Sequence, residues 1–304
     1  MEKNFIERLM EDVSQKSSRV LVGLDPVIES MPESFVRPIL REKGNNNEGC
    51  AEAIWIFNKK LIEGLADIAV AFKPQIAFYE AYGIAGMQAY SRTLKAIREH
   101  GILAIGDIKR GDIGSTAEAY ATGHLGHGSE FEADAVTVNP YLGIDSIRPF
   151  LKYVDQNGKG LFVLAKTSNS SSSEFQDLDT IDQKCSTNIK LYQRVSAKIS
   201  EWGKNSISGN YSSVGAVVGA THPSTLSELR KMYPHIPFLI PGYGAQGATA
   251  KDIIHGFDSN GHGAIVNSSR GIIFAGGKDT SNFVSDARIA AIKMRDEIEN
   301  ALKG

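Results

Sequence analysis

The sequence predicts an α/β protein, a (β/α)8 barrel with an additional N-terminal helix, and three observations carry that expectation. Eight short apolar runs recur along the 304 residues, each run is continuous rather than alternating, and segments with helical spacing separate them. Strands covered by helices on both faces require unbroken apolar runs, whereas a sheet wetted on one face alternates. Eight such repeats in about 280 residues suit one closed barrel better than two doubly wound domains. The chain is therefore expected to form a single barrel domain over residues 1–304.

Taken in order, an amphipathic helix opens the chain with Phe5, Ile6, Leu9, Met10 and Val13. The runs follow as Val20 to Leu24, Ile68 to Phe72, Leu103 to Ile108, Ala135 to Val138, Leu161 to Ala165, Val214 to Val218, Phe238 to Ile240 and Ala264 to Val266. Helical spacing precedes the second run (Ile54, Phe57, Leu61, Ile62, Leu65) and the third (Ala89, Leu94, Ile97, Arg98), where Glu99-His-Gly supplies a stop. Thr221-His-Pro-Ser-Thr-Leu offers a helix start before Leu226 and Leu229, and Ile289, Ile292, Met294 and Ile298 mark a closing helix. The 30 glycines gather where the apolar runs end, as turn punctuation. Two segments break the pattern. Arg41 to Gly49, with three consecutive asparagines, and Ser168 to Ser173 with the polar stretch to Lys184 are read as longer loops, near 26–50 and 169–186. The first reads as mobile surface; the second follows strand five, on the face where barrels build their sites.

Composition narrows the function. With 33 basic against 35 acidic side chains the net charge is −2, without the basic surplus of a nucleic-acid binder. Hydrophobic residues at 42% and charged ones at 22% describe an ordinary globular chain. Two cysteines, Cys50 and Cys185, build no disulfide framework, and the start Met-Glu-Lys-Asn-Phe lacks a secretory pattern, so a reduced, cytoplasmic protein is expected. No apolar run approaches the ~18 residues of a membrane span.

The densest polar cluster, Gly106-Asp-Ile-Lys-Arg-Gly-Asp-Ile-Gly-Ser-Thr116, opens at the carboxyl end of the third run. Asp107 and Lys109 are two apart, so in a strand both point to one face, and at a barrel strand's end that face looks into the mouth. Asp112 lies beyond the strand. A lysine between two carboxylates is held protonated and is able to deliver a proton to carbon. Other strand ends add Leu24-Asp25-Pro26, Phe72-Lys73-Pro74 and Lys166-Thr167-Ser168. Each alone reads as a solubilising strand end. Coinciding on one face, Asp25, Lys73, Asp107, Lys109 and Asp112 would form an alternating charge network, with each contact on the order of 4 kcal/mol at an effective dielectric near 20.

The seventh run leads into Pro241-Gly-Tyr-Gly-Ala-Gln-Gly247 and the eighth into Asn267-Ser-Ser-Arg-Gly271. Loops after barrel strands seven and eight are the habitual phosphate site. Glycines let backbone N–H groups approach phosphate oxygens, a helix start adds its dipole, and Arg270 is able to grip a dianion with two donors. A phosphate-bearing ligand is expected. Gly242 to Gly247 also matches G-x-G-x-x-G, yet the next strand ends in Asn267-Ser-Ser-Arg rather than in the acidic residue that holds a ribose, so no nicotinamide cofactor is expected. His124 and His127 lie among Gly123, Gly126 and Gly128 with no third ligand, and no metal is expected. Cys50 and Cys185, in polar regions without an evident histidine partner, read as ordinary thiols.

These residues resemble the orotidine 5′-phosphate decarboxylases, and more closely their longer subgroup. The resemblance rests on Asp107-Ile-Lys-Arg-Gly-Asp-Ile113 with Thr116, Val22-Gly-Leu-Asp-Pro26, Phe72-Lys73-Pro74, and Pro241-Gly-Tyr-Gly-Ala-Gln246 with Arg270, landmarks that span residues 22 to 270. It implies metal- and cofactor-free loss of CO2 from orotidine 5′-monophosphate to give uridine 5′-monophosphate, the last step of de novo UMP synthesis. By resemblance Lys109 protonates C6 of the pyrimidine, Asp107 lies beside the departing carboxylate, and Asp112 comes from the partner of a homodimer, crossing the interface with Ile113 and Thr116. Lys73, which also ties into the charge network, and Asp25 would bond the ribose hydroxyls. Ser168 would read the pyrimidine edge, Gln246 would span pyrimidine and phosphate, and Arg270 would clamp the phosphate, in a pocket shared with Pro241, Gly244 and Ser269. Two departures stand out. Lys166-Thr-Ser-Asn-Ser-Ser-Ser replaces a shorter glutamate-containing version, so Thr167, Ser168 and Asn169 all remain possible readers of the ring, and the loops near 26–50 and 169–186 are longer than in the short subgroup.

The chemistry agrees with that implication. Decarboxylation leaves an in-plane carbanion with no π-system and no cofactor to receive the charge, so a fixed cation such as Lys109 is the available remedy. Binding energy from a remote phosphate helps hold the reacting centre. Two rivals remain. Relatives sharing D-x-K-x-x-D run Mg²⁺-dependent chemistry on sugar phosphates, but would need an acidic ligand where Lys73 stands. A non-catalytic sensor of phosphate ligands would have no need of Asp107, Lys109 and Asp112 together.

Overall fold

The computed structural model describes residues 3–181, 187–244 and 247–304. Among them, eight parallel strands close into a barrel. The strands are β1 (Val20–Leu24), β2 (Ala71–Pro74), β3 (Leu103–Arg110), β4 (Ala135–Val138), β5 (Gly160–Lys166), β6 (Val214–Val218), β7 (Phe238–Pro241) and β8 (Ala264–Ser268). Each pairs with its neighbours in sequence, and β8 returns to β1 through Val20↔Val266 and Val22↔Ser268. The helices on the outside include α1 (Phe5–Lys16), α2 (Glu33–Lys43), α3 (Asn47–Leu65), α4 (Gly83–Glu99), α5 (Gly114–Leu125), α6 (Ile144–Asn157), α7 (Leu191–Trp202), α8 (Pro223–Met232) and α9 (Phe283–Lys303).

Period-2 alternation along the strands divides the core in two. Val20, Val22, Leu24, Phe72, Val136, Val163, Ala216, Ile240 and Val266 face outward to the helices, where Ile54, Phe57, Leu61, Ile62 and Leu65 of α3 meet them fully buried. Leu21, Ala71, Leu103, Ile105, Ala135, Phe162, Val217, Leu239 and Ile265 face inward. The lower barrel is thus filled with apolar side chains, and α1 closes its floor. Phe5 meets Phe162 edge-on at 5.9 Å, the Phe5 N–H donates to Gly158 O at 2.7 Å, and Arg8 pairs with Asp134 at 2.7 Å. Gly160 has no side chain because an added Cβ would lie 2.3 Å from the Phe5 ring.

Three sequence expectations are corrected. The second strand begins at Ala71, not Ile68: the N–H groups of Ile68 and Ala69 still bond Leu65 O, so the buried run starts inside the turn that ends α3. The 26–50 segment is largely helical, in α2 and the start of α3, because Asn46 caps α3 by accepting the Gly49 N–H at 3.0 Å. Cys50 consequently lies in a helix, half-buried, while Cys185 lies outside the described residues. The serine-rich segment holds short helical turns, Ser170–Ser172 and Ser173–Gln176, and an antiparallel pair, Asp179–Ile181 with Asn188–Lys190.

Candidate active site

Continuing the inward parity past the apolar layer brings polar residues to the upper mouth: Asp25 after Leu21, Lys73 after Ala71, Asp107 after Ile105, Thr137 after Ala135, and Asn267 after Ile265. Asp107 is the hub. Its Oδ2 accepts from Lys73 Nζ at 2.6 Å, while its Oδ1 accepts from Lys109 Nζ at 2.5 Å and from Thr137 Oγ1 at 2.8 Å. Lys73 and Asp107 are buried, whereas the Lys109 side chain is 45% exposed and faces the open mouth.

The electrostatics follow from this packing. Burial disfavours the Asp107 carboxylate, but the cations of Lys73 and Lys109 outweigh it and hold the group well below the usual carboxylate range. Burial likewise opposes the Lys73 charge, and Asp107, Asp25 and the Asp107 hydrogen bond raise its pKa all the same. Asp25 is half-buried, and its Oδ1 is buried without a hydrogen-bond partner. That orphaned acceptor is a group a ligand hydroxyl would satisfy.

Asp107 and Lys109 do converge, though not by simple strand alternation. Lys109 has φ +46, and the β3–β4 register shifts between Gly106 and Arg110. The left-handed turn returns the lysine to Asp107. The one-chain network expected from sequence stops there. Asp112 is half-buried, its Oδ1 accepts the Ile113 N–H at 2.8 Å, and among the described residues it makes no ion pair. Ile113 is 55% exposed, and Thr116 is exposed on the first turn of α5.

After β5, Thr167 Oγ1 donates to Asn169 Oδ1 at 2.6 Å and accepts from Gln176 Nε2 at 2.8 Å. No hydrogen bond among the described residues engages the Ser168 hydroxyl or the Asn169 Nδ2, whereas the Thr167 hydroxyl is spent within the segment. Gly219 is required here, since an added Cβ would stand 2.8 Å from Ser168 Cα.

Arg270 is exposed at the start of a short turn, Arg270–Ile273, with Ser269 immediately before it. Pro241 ends β7 and its carbonyl accepts the Ala220 N–H at 2.8 Å. The glycine expectation needs correction: the N–H groups of Gly244 and Gly247 bond Ala248 O and Gly244 O, both at 2.9 Å, and so are spent within the turn. Gln246 lies outside the described residues. His124 is buried at the end of α5 against Phe131, while His127 is exposed, so the pair does not converge.

Sequence reasoning passed over Thr137 and the side chain of Asn267. The available signal was a polar residue at an inward position of an otherwise apolar strand. Asn267 is buried, its Nδ2 donates to Ser269 Oγ at 3.3 Å, and its Oδ1 has no partner.

The chain matches the family model described as "Orotidine 5'-phosphate decarboxylase / HUMPS family" over residues 19–281. A Clostridium perfringens protein named orotidine 5′-phosphate decarboxylase is 44% identical over 97% of this chain and 98% of its own length. One of the same name from Clostridium kluyveri is 46% identical over 96% of both chains. The solved Leishmania donovani OMP decarboxylase superposes with a TM-score of 0.76 at 33% identity, covering 99% of each chain. The chain also matches Leishmania donovani UMP synthase at 34% identity and a TM-score of 0.78, spanning 57% of that longer protein.

Proposed function

The chain belongs to the orotidine 5′-phosphate decarboxylase / HUMPS family, and from that premise we propose that it converts orotidine 5′-monophosphate to uridine 5′-monophosphate and CO2 without a cofactor, closing de novo UMP synthesis. The observation that carries this reading is the row Lys73–Asp107–Lys109, with contacts of 2.6 and 2.5 Å, at the mouth of the barrel.

Loss of CO2 leaves an electron pair in the ring plane at C6. Lys109, exposed to the mouth and anchored on an ionised carboxylate, offers a preorganised cation to that charge and then donates its proton to C6. Asp107, held as the anion, lies beside the leaving carboxylate and fixes Lys109. Lys73 and the unpartnered Asp25 oxygen bond the ribose hydroxyls, the free Ser168 hydroxyl reads the pyrimidine edge, and Gln246 spans ring and phosphate. Arg270 clamps the phosphate in a pocket completed by Pro241, Gly244 and Ser269. Asp112, Ile113 and Thr116, exposed or half-buried here, act across a homodimer interface, where Asp112 completes the charge row from the partner.

The contacts of Asp107 and Lys73 weigh against the Mg²⁺-dependent chemistry of sugar-phosphate relatives. Both Asp107 oxygens already meet ammonium groups, and Lys73 is a buried cation where an acidic ligand would be needed, whereas Mg²⁺ demands a near-octahedral oxygen shell.

Lys109→Ala tests the proton-donor role. The variant is expected to fold and bind uridine 5′-monophosphate in a calorimetric titration, yet to lose at least about 1,000-fold in kcat, combining the proton donor and the electrostatic group. A kcat within tenfold of the parent chain would remove Lys109 from the chemistry.

A further inference from the structure

The backbone of Lys109 is held in an unfavourable conformation, and one side chain spans it. Its φ of +46 places a non-glycine residue in the left-handed region. Such residues are strained and persist only where their surroundings over-determine them. The β3–β4 ladder does not do so, because its register breaks between Gly106 and Arg110, the stretch that contains Lys109.

Thr137, buried on β4, bridges that break. Its Oγ1 accepts the Lys109 N–H at 3.1 Å and donates to Asp107 Oδ1 at 2.8 Å. The directions are fixed by chemistry: an ionised carboxylate only accepts, so the single hydroxyl proton points to Asp107 and an oxygen lone pair receives the Lys109 amide. One hydroxyl thus ties together the backbone of the lysine and the carboxylate that anchors its ammonium. The same Oδ1 also receives Lys109 Nζ at 2.5 Å, so Lys109 N, Thr137 Oγ1, Asp107 Oδ1 and Lys109 Nζ form a closed ring of contacts.

We infer that Thr137 is a positioning residue, whose hydroxyl holds Lys109 in its left-handed turn and aims the ammonium into the mouth. It touches no reacting atom and acts through Lys109 and Asp107; the inference rests on the proton-donor reading of Lys109. Displacement of a reacting group by about 1 Å is enough to lose on the order of 100-fold in rate. A hydroxyl is required, and the threonine methyl is not.

The test compares Thr137→Val, which removes the hydroxyl at nearly constant shape, with Thr137→Ser, which keeps it. Thr137→Val is expected to lose about 100-fold in kcat for orotidine 5′-monophosphate with KM within about threefold, and Thr137→Ser to recover to within about tenfold of the parent chain. A crystal structure of Thr137→Val is expected to show Lys109 out of the left-handed region or its ammonium off Asp107. This structural arm reads positioning even if the chain proves inactive on this nucleotide, and so separates failure of the positioning role from failure of the decarboxylase reading. Unchanged kcat in Thr137→Val, equal losses in the two variants, or an unmoved Lys109 would each overturn the inference. Should Thr137→Val fail to fold, Thr137→Ala provides the hydroxyl-free structure, and an unmoved Lys109 there overturns it equally.

Discussion

Asp107 meets two ammonium groups, at 2.6 and 2.5 Å, inside a barrel that would otherwise disfavour its charge. Its folded-state pKa lies below its ordinary value of 3.8, so its contribution to stability is complete above that value and fades as pH falls toward the depressed one. Lys73 is shifted upward from 10.5, so its share is complete below that value and is lost only as pH rises through the higher folded-state pKa. Across neutral pH both remain charged. Removing the anion strands a buried cation, and breaking such a pair costs about 3–5 kcal/mol. Asp107→Asn is therefore expected to unfold at markedly lower urea at pH 7, with the gap to the parent chain narrowing as pH drops below about 4. A pH-independent gap would contradict the assigned ionisation. The lysines and aspartates were legible in the sequence because charges closing apolar runs are conspicuous. Thr137 was less so: its polar character at an inward position was the one signal, and only the register brings it onto Asp107. The left-handed turn at Lys109 was illegible for a like reason: nothing in Asp107-Ile-Lys-Arg demands it, and the β3–β4 register break is a tertiary event.

Among the elements, strands were easier to read than connections. A strand covered on both faces announces itself by composition, whereas Asn45, Asn46 and Asn47 suit a loop and a helix cap equally, and only the Asn46–Gly49 contact distinguishes them. The buried stripe of the closing helix α9 only partly matches the expected one: Met294 and Ile298 are buried with Ala287 and Ala291, while Ile289 is 63% exposed. Alanines carry too weak a hydrophobic signal to have set that stripe from sequence. The opening helix was read correctly as amphipathic, but its task as the barrel floor required the structure. Phe5 is fully buried against Phe162, at the end of the barrel opposite Lys109. Phe5→Ala is expected to lower stability in urea by about 3–5 kcal/mol while leaving KM within twofold. A changed KM with unchanged stability would contradict the division of labour between floor and mouth.

At the scale of the whole molecule, the closed barrel separates an apolar lower half that holds the fold together from a polar upper half that carries charge. Lys73, Asp107 and Thr137 come from three adjacent strands, so closure of the sheet, rather than any local segment, assembles the site. Ile113 and Thr116 are exposed and Asp112 is half-buried on one chain, which leaves them available to the proposed homodimer. Among the described residues no helix is long and apolar enough to cross a membrane. The central claim is that this constellation removes CO2 from orotidine 5′-monophosphate by itself. The most direct measurement follows the loss of that substrate's absorbance in EDTA-treated buffer, with and without added Mg²⁺, and identifies the product. Rapid formation of uridine 5′-monophosphate at the same rate in both buffers is the predicted result. No conversion by the folded protein, or conversion only once Mg²⁺ is restored, would contradict it.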